Sequence, residues 1–183
     1  MLRSPRFPHA LLAAAALALL PTLGRAQTRM LRAPTVSATQ IAFAYASAIW
    51  VVPRAGGLAT RLTSFPGEAM NPYFSPDGKW IAFTGQYGGN ADVYVMSADG
   101  GTPTRLTWHP GADLVRGWTP DGKAVVFESA RTGMPDGEPQ LWTVPVAGGM
   151  PSRLPVPRAL YGALSPDGQE IAYQLDRPWE AEM

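Results

Sequence analysis

Residues 75–83 read SPDGKWIAF, residues 119–127 read TPDGKAVVF, and residues 165–173 read SPDGQEIAY. One chain thus writes nearly the same nine residues three times, at a period within the range of about 20 to 50 residues that marks repeat architectures. Each copy opens on a turn. In Ser75-Pro76-Asp77-Gly78 the proline presets φ at the second position of a type I turn, the aspartate suits the third, and the glycine accepts the left-handed residue that follows. The turn then releases the chain into a run of β-branched and aromatic residues.

A second half recurs with it. Residues 92–107, DVYVMSADGGTPTRLT, match 48–63, AIWVVPRAGGLATRLT, and 140–155, QLWTVPVAGGMPSRLP. Turn chemistry parses the middle unit into four short strands: an inner one over 71–75, then 80–84, 92–97 and 104–108, separated by the SPDG turn, the polar loop GQYGGNA and the turn ADGG. Side chains alternate across a strand, so Ile81 and Phe83 point to one face while Trp80 and Ala82 point to the other. A sheet that is apolar on both faces needs a neighbour on each side, and radial stacking of four-stranded units is the β-propeller solution. The fold class is therefore all-β, a partial β-propeller of four-stranded antiparallel blades. The blades fall at about 34–64, 71–108 and 114–156, with the start of a fourth at 161–175. A solenoid of the same units is the alternative. The first blade opens on SATQIAF instead of the Pro-Asp-Gly turn. About three and a half blades do not close a ring of four to eight, so the chain is expected to be a fragment or truncated product with an open flank, and poorly soluble by itself.

The N-terminus reads as a separate export signal. Arg3 and Arg6 precede an apolar run over residues 10–20, followed by small residues Gly24 and Ala26, which places cleavage after Ala26 and leaves 27–183 as the propeller. The run is short of the roughly 20 residues that span a bilayer, so no membrane span is expected after cleavage. Of 15 basic and 14 acidic residues, three arginines and no acid lie in that leader, so the remainder carries a net charge of −2 and no basic footprint for nucleic acid. With no cysteine in the chain, a disulfide framework and a thiolate metal site are both excluded.

No catalytic, cofactor-binding or metal-binding residue emerges. His109 lies in TWHPGAD, a turn between blades, and one histidine without cysteine does not make the usual zinc sets. Asp77, Asp121 and Asp167 are turn residues, without the alternating acids and closing Glu of a calcium loop. The glycine pairs follow neither phosphate-binding spacing, and GALSP at 162–166 lacks the second glycine of a hydrolase elbow. Trp50, Tyr94 and Trp142 share one position in the third strands and read as packing between blades. Tyr73, Arg116 and Tyr161, on inner strands, are the candidate residues for lining a central channel.

From IAFAYASAIWVVPRAGG onward through RLTSFPG, WHPGADLVRGWTPDGK and LYGALSPDGQEIAY, about residues 34–173, the chain resembles the N-terminal propeller of tricorn-type proteases; the shorter SPDGKxIAF and RLT elements are shared with TolB-like propellers. The resemblance implies a parent with a six-bladed and a seven-bladed propeller, a PDZ-like domain and a C-terminal serine peptidase domain that carries the catalytic residues. It implies propellers that gate peptides or unfolded polypeptide, a homo-oligomeric assembly, and no cofactor. A chain without the peptidase domain is expected to be inactive alone. The family is often described as cytoplasmic, whereas the leader here points to the periplasm or secretion. The second reading is a TolB-like periplasmic propeller that binds a protein or peptide without catalysis; a third is a propeller ahead of an α/β-hydrolase domain.

Overall fold

The computed structural model describes residues 30–132 and 137–175; the expected leader, residues 1–26, lies outside them. Among the described residues every regular element is a β-strand, and no helix is long and apolar enough to cross a membrane. The first sheet orders β1 (Arg32–Val36), β2 (Gln40–Tyr45), β3 (Ala48–Pro53) and β4 (Thr60–Arg61). The second orders β5 (Glu68–Phe74), β6 (Trp80–Gln86), β7 (Asp92–Ser97) and β8 (Thr104–Arg105). The third orders β9 (Asp113–Trp118), β10 (Ala124–Ser129), β11 (Gln140–Pro145) and β12 (Ser152–Arg153). A two-stranded sheet, β13 (Ala159–Leu164) with β14 (Ile171–Leu175), follows. All pairings are antiparallel. The inner strands β1, β5, β9 and β13 are spatial neighbours in that order, so the sheets form an open, propeller-like arc.

The repeated turn is held by side chains as well as by backbone. Ser75 Oγ donates to Asp77 Oδ1 at 2.6 Å and accepts from the Trp80 amide at 3.0 Å, while the Lys79 amide donates to Asp77 Oδ1 at 3.1 Å. Thr119 with Asp121, and Ser165 with Asp167, repeat the arrangement. The Ser/Thr and the Asp of the motif are thus one hydrogen-bonded unit. The motif glycines Gly78, Gly122 and Gly168 take φ of 72°, 68° and 72°, which favours residues without a Cβ. They also meet the turn of the preceding sheet: a Cβ on Gly78 would lie 3.1 Å from Ser37, one on Gly122 3.6 Å from Pro76, and one on Gly168 3.7 Å from Pro120.

The RLT ending explains why the outer strand stops at two residues instead of running to Trp108. The Leu106 amide closes the ladder onto the Val93 carbonyl at 2.8 Å. The next partner is a side chain: Thr107 Oγ1 accepts from the Val93 amide at 3.0 Å, and Arg105 Nε donates to the Thr107 carbonyl at 2.7 Å. In the first sheet Leu62, Thr63 and Arg61 repeat these bonds around Ile49.

Packing follows the alternation. Ile81, Phe83, Tyr94 and Met96 lie in one cluster with Ala42, Ala44, Ile49 and Val51 of the first sheet. Ala82, Val93 and Val95 face the other way, against Val115, Val125 and Phe127 of the third. Leu141, Val156 and Ala159 form the join to the last sheet. Tyr94 stacks on Phe83 with centroids 5.8 Å apart, and Trp142 packs against the second cluster; Trp50 instead contacts Tyr45 edge-on within its own sheet. One hydrogen bond recurs at each join, from the Ala69 amide to the Ser47 carbonyl, from Asp113 to Ala91 and from Ala159 to Pro139, at 2.8–3.0 Å. Full burial of a side chain such as Phe83 contributes about 1.5–3 kcal/mol, and a hydrogen bond about 0.5–1.5 kcal/mol net. Apolar faces therefore supply most of the adhesion between sheets, and the recurring bond sets their register.

The middle join buries two acids. Asp92 and Asp113 are both fully buried, Asp92 2.7 Å from the Arg105 guanidinium and Asp113 2.7 Å from that of Arg131. Burial raises the pKa of Asp92 above 3.8 despite the Arg105 partner, with the Asp113 charge adding to the rise. Asp77, Asp121 and Asp167 are held below 3.8, first by the neighbouring Ser or Thr hydroxyl and then by a backbone amide.

Two predictions follow from this chemistry. Thr107→Val leaves the buried Val93 amide without its acceptor, so urea denaturation is expected to show a loss of about 1–3 kcal/mol; an unchanged midpoint would contradict the role given to the RLT threonine. The pH dependence has two signs. The native state holds the Asp92 proton more tightly than the unfolded chain does, so its contribution grows as pH falls through its raised pKa and is lost as pH rises through it. The turn aspartates contribute above 3.8, and that contribution is lost as pH falls through their lowered pKa values. Thermal melting is expected to show a gain in stability as pH falls toward 3.8 from above and a loss below 3.8, with the gain absent in Asp92→Asn.

Candidate functional site

Each inner strand carries a bulge, an extra residue that breaks the ladder and re-aims the chain. The irregularity lies between Arg32 and Thr35 in β1, between Met70 and Tyr73 in β5, at Arg116 in β9 and at Leu160 in β13. The last two bulges meet. Arg116 Nε donates to the carbonyl oxygen of Leu160 at 2.9 Å, so the side chain of one bulged residue is tied to the backbone of the other across the join.

Arg116 is then enclosed. Its Nε and Nη2 donate to Glu128 Oε2 at 2.9 and 2.6 Å, and both side chains of that pair are about nine-tenths buried. Its guanidinium carbon lies 4.1 Å from the Tyr161 ring centroid, a cation–π geometry. Tyr161 itself stays 51% exposed, so the stacked face is held while the remaining ring surface is open to solvent. Breaking a buried ion pair costs about 3–5 kcal/mol because it strands a charge; the Glu128 carboxylate therefore locks the guanidinium orientation.

Tyr73, Arg116 and Tyr161, the three residues singled out from the sequence, line one hollow of about 460 Å³ together with Gly162, Tyr173 and Gln174. They come from three successive inner strands. Tyr73 is half-buried, packs on the second apolar cluster, and its carbonyl accepts from Trp118 Nε1 at 2.9 Å, which fastens the second sheet to the third beside the hollow. Gly162 faces Leu141, leaving no room there for a Cβ. Aromatic faces, a fixed cation and exposed backbone suit contact with polypeptide; they hold no activated nucleophile.

Glu128 escaped the sequence reading. A signal was present, because it is the one acid in an otherwise apolar second strand, AVVFES, where an ionised group needs a partner. His109 sits in its turn, with Nδ1 accepting from the Gly111 amide at 3.0 Å and its carbonyl accepting from Asn90 at 2.6 Å. Among the described residues no three His, Cys, Asp or Glu side chains are grouped so as to hold a metal.

The comparisons with known proteins agree on the architecture. A profile of the tricorn protease N-terminal beta propeller domain matches residues 28–183. Among solved structures, TolB from Acinetobacter baumannii is 31% identical with a TM-score of 0.66, over 82% of this chain and 39% of that one. A TolB from Agrobacterium tumefaciens is 29% identical with a TM-score of 0.64, over 74% of this chain and 50% of that one. The tricorn protease structure is 24% identical with a TM-score of 0.65, over 75% of this chain and 14% of that one, a likeness of fold. The chain thus spans half or less of the length of each of these structures. No curated protein sequence matches it. With the profile covering all but the first 27 residues, the chain belongs to the family of the tricorn protease N-terminal β-propeller domain.

Proposed function

We propose that this chain is the propeller portion of an exported tricorn-like serine peptidase, in which it passes or holds peptide substrate for hydrolysis carried out elsewhere in the parent and contributes surface to a homo-oligomeric assembly. The observation that carries the reading is the hollow in which Tyr73, Arg116 and Tyr161 converge from three inner strands. An aromatic face beside a guanidinium whose orientation is locked offers cation–π and stacking contacts to passing side chains and hydrogen bonds to peptide carbonyls. These contacts are sequence-tolerant, as a filter for unfolded polypeptide requires. The basic leader with its apolar run and small residues before position 27 supports export to the periplasm or beyond.

The greater identity to TolB structures than to the tricorn protease itself favours one second reading, a periplasmic propeller that binds a protein or peptide without catalysis. PDZ-like and peptidase segments encoded in the same reading frame would favour the first reading, and a stop after about two further blades the second.

Both readings place polypeptide at the hollow. Tyr161→Ala, which leaves the Arg116–Glu128 pair in place, is expected to weaken binding of a labelled unstructured decapeptide by about tenfold, the equivalent of roughly 1.4 kcal/mol, in fluorescence anisotropy, with the melting temperature unchanged. Equal affinity of variant and parent chain would remove the hollow from the proposal.

A further inference from the structure

Asp99-Gly100 lies in the turn ADGG between β7 and β8, and Asp77-Gly78, Asp121-Gly122 and Asp167-Gly168 repeat the same pair of residues in the three motif turns. A fifth pair, at 136–137, falls partly outside the described residues. An aspartate followed by glycine is open to attack on its own side chain, because the glycine amide has no Cβ beside it to hinder a close approach. In all four turns that amide is placed alike. Gly100 donates to the Ser97 carbonyl at 3.0 Å, Gly78 to Ser75 at 2.8 Å, and Gly122 and Gly168 to Thr119 and Ser165 at 2.9 Å. All four glycines have positive φ. The difference lies in the carboxylate.

At Asp77, Asp121 and Asp167 one carboxylate oxygen accepts from a hydroxyl at 2.5–2.7 Å and from the amide two residues on at 3.1 Å. Turning such a group toward its glycine breaks two charge-assisted bonds. The same bonds, the hydroxyl first, lower its pKa and keep it ionised, the form that resists a nucleophile. Asp99 is exposed, and among the described residues its carboxylate has no hydrogen-bond or ionic partner; only its amide is engaged, donating to Ser97 Oγ at 3.2 Å. Nor does the turn need the acid. The corresponding turns of the first and third sheets carry Ala55 and Ala147 and close with the same bond, from Gly56 to Pro53 and from Gly148 to Pro145. Their glycine pairs take φ of 92° and 135°, and of 87° and 133°, against 100° and 118° at Gly100 and Gly101. The Asp99 side chain is therefore free to move on a backbone that is set without it.

We propose that Asp99 is a modification site: it closes on the Gly100 amide to a succinimide and reopens as isoaspartate, a substrate for a carboxyl methyltransferase that uses S-adenosylmethionine. The Gly100 nitrogen bonds to Asp99 Cγ, and the carboxyl hydroxyl leaves with the amide proton as water. A second water then opens the ring. Opening at the main-chain carbonyl leaves the backbone one atom longer just ahead of β8, whose Arg105 pairs buried Asp92. Asp99 lies outside the hollow at Arg116, so the proposal is independent of the function given to that hollow.

The test ages the full chain in neutral buffer, folded and in urea, and digests it with trypsin. Cleavage after Arg61, Lys79, Arg105, Arg116, Lys123 and Arg158 puts the four aspartates in separate peptides. Isoaspartate in each is read by fragmentation mass spectrometry and by methyl transfer from labelled S-adenosylmethionine with an added methyltransferase. In the folded chain residues 80–105 are expected to gain isoaspartate at least about tenfold faster than any of the other three peptides, and in urea all four rates are expected to converge. Asp99→Ala, which keeps the turn as Ala55 and Ala147 do, is expected to abolish the signal in that peptide, with circular dichroism checking the fold. Equal rates in the folded chain, a preference that persists unchanged in urea, no isoaspartate in residues 80–105, or a signal there that survives Asp99→Ala each overturns the proposal.

Discussion

Everything in this structure depends on a sheet that has no polar face to show to water. Phe83 and Ala82, adjacent in β6, are both fully buried and belong to different clusters. A helix or a polar loop could cover one face. Only another sheet of the same width covers both while leaving the next one in the same situation, and this is what turns a repeated sequence into a stacked array. The recurring amide-to-carbonyl bond at each join adds little energy, but it fixes where along the preceding sheet the inner strand begins.

Repetition alone would make the sheets interchangeable, and the middle join is the exception. Positions held by Asp92 and Asp113 there carry Ala48 and Ala69 at the first join and Gln140 and Ala159 at the third. Each carboxylate is paired within its own four-stranded unit, Asp92 with Arg105 and Asp113 with Arg131, and removing either arginine would strand a buried charge at a cost of several kcal/mol. The same reasoning applies to Arg116 and Glu128, whose pairing does less for stability than for direction: it holds a cation still beneath an exposed tyrosine.

The inner strands carry the features that suit function. They are bulged and edge-placed, and at each bulge the ladder gives up a pairing so that a side chain or a carbonyl can be aimed elsewhere. At the third join that aim brings an arginine to a carbonyl across the sheets. At the first it leaves Ala33 and Asn71 with left-handed backbone. Scaffold and site are therefore divided by strand: the second and third strands supply the packing, the inner strand the contacts.

Much of the architecture was legible in the residues because it is local and repeated. The Ser/Thr-Pro-Asp-Gly turn, the two-residue alternation of β6 and β7, and the family resemblance follow from neighbours a few positions apart, and so did the choice of Tyr73, Arg116 and Tyr161 as inner-strand residues. What tertiary structure decided is whatever depends on residues far apart in the chain. That Thr107 ends a strand by accepting from Val93 and that Glu128 sets the direction of Arg116 are facts of register and of bulge placement. A one-residue shift of either would turn each side chain to the opposite face, and no composition or spacing encodes which bulge faces which across a join.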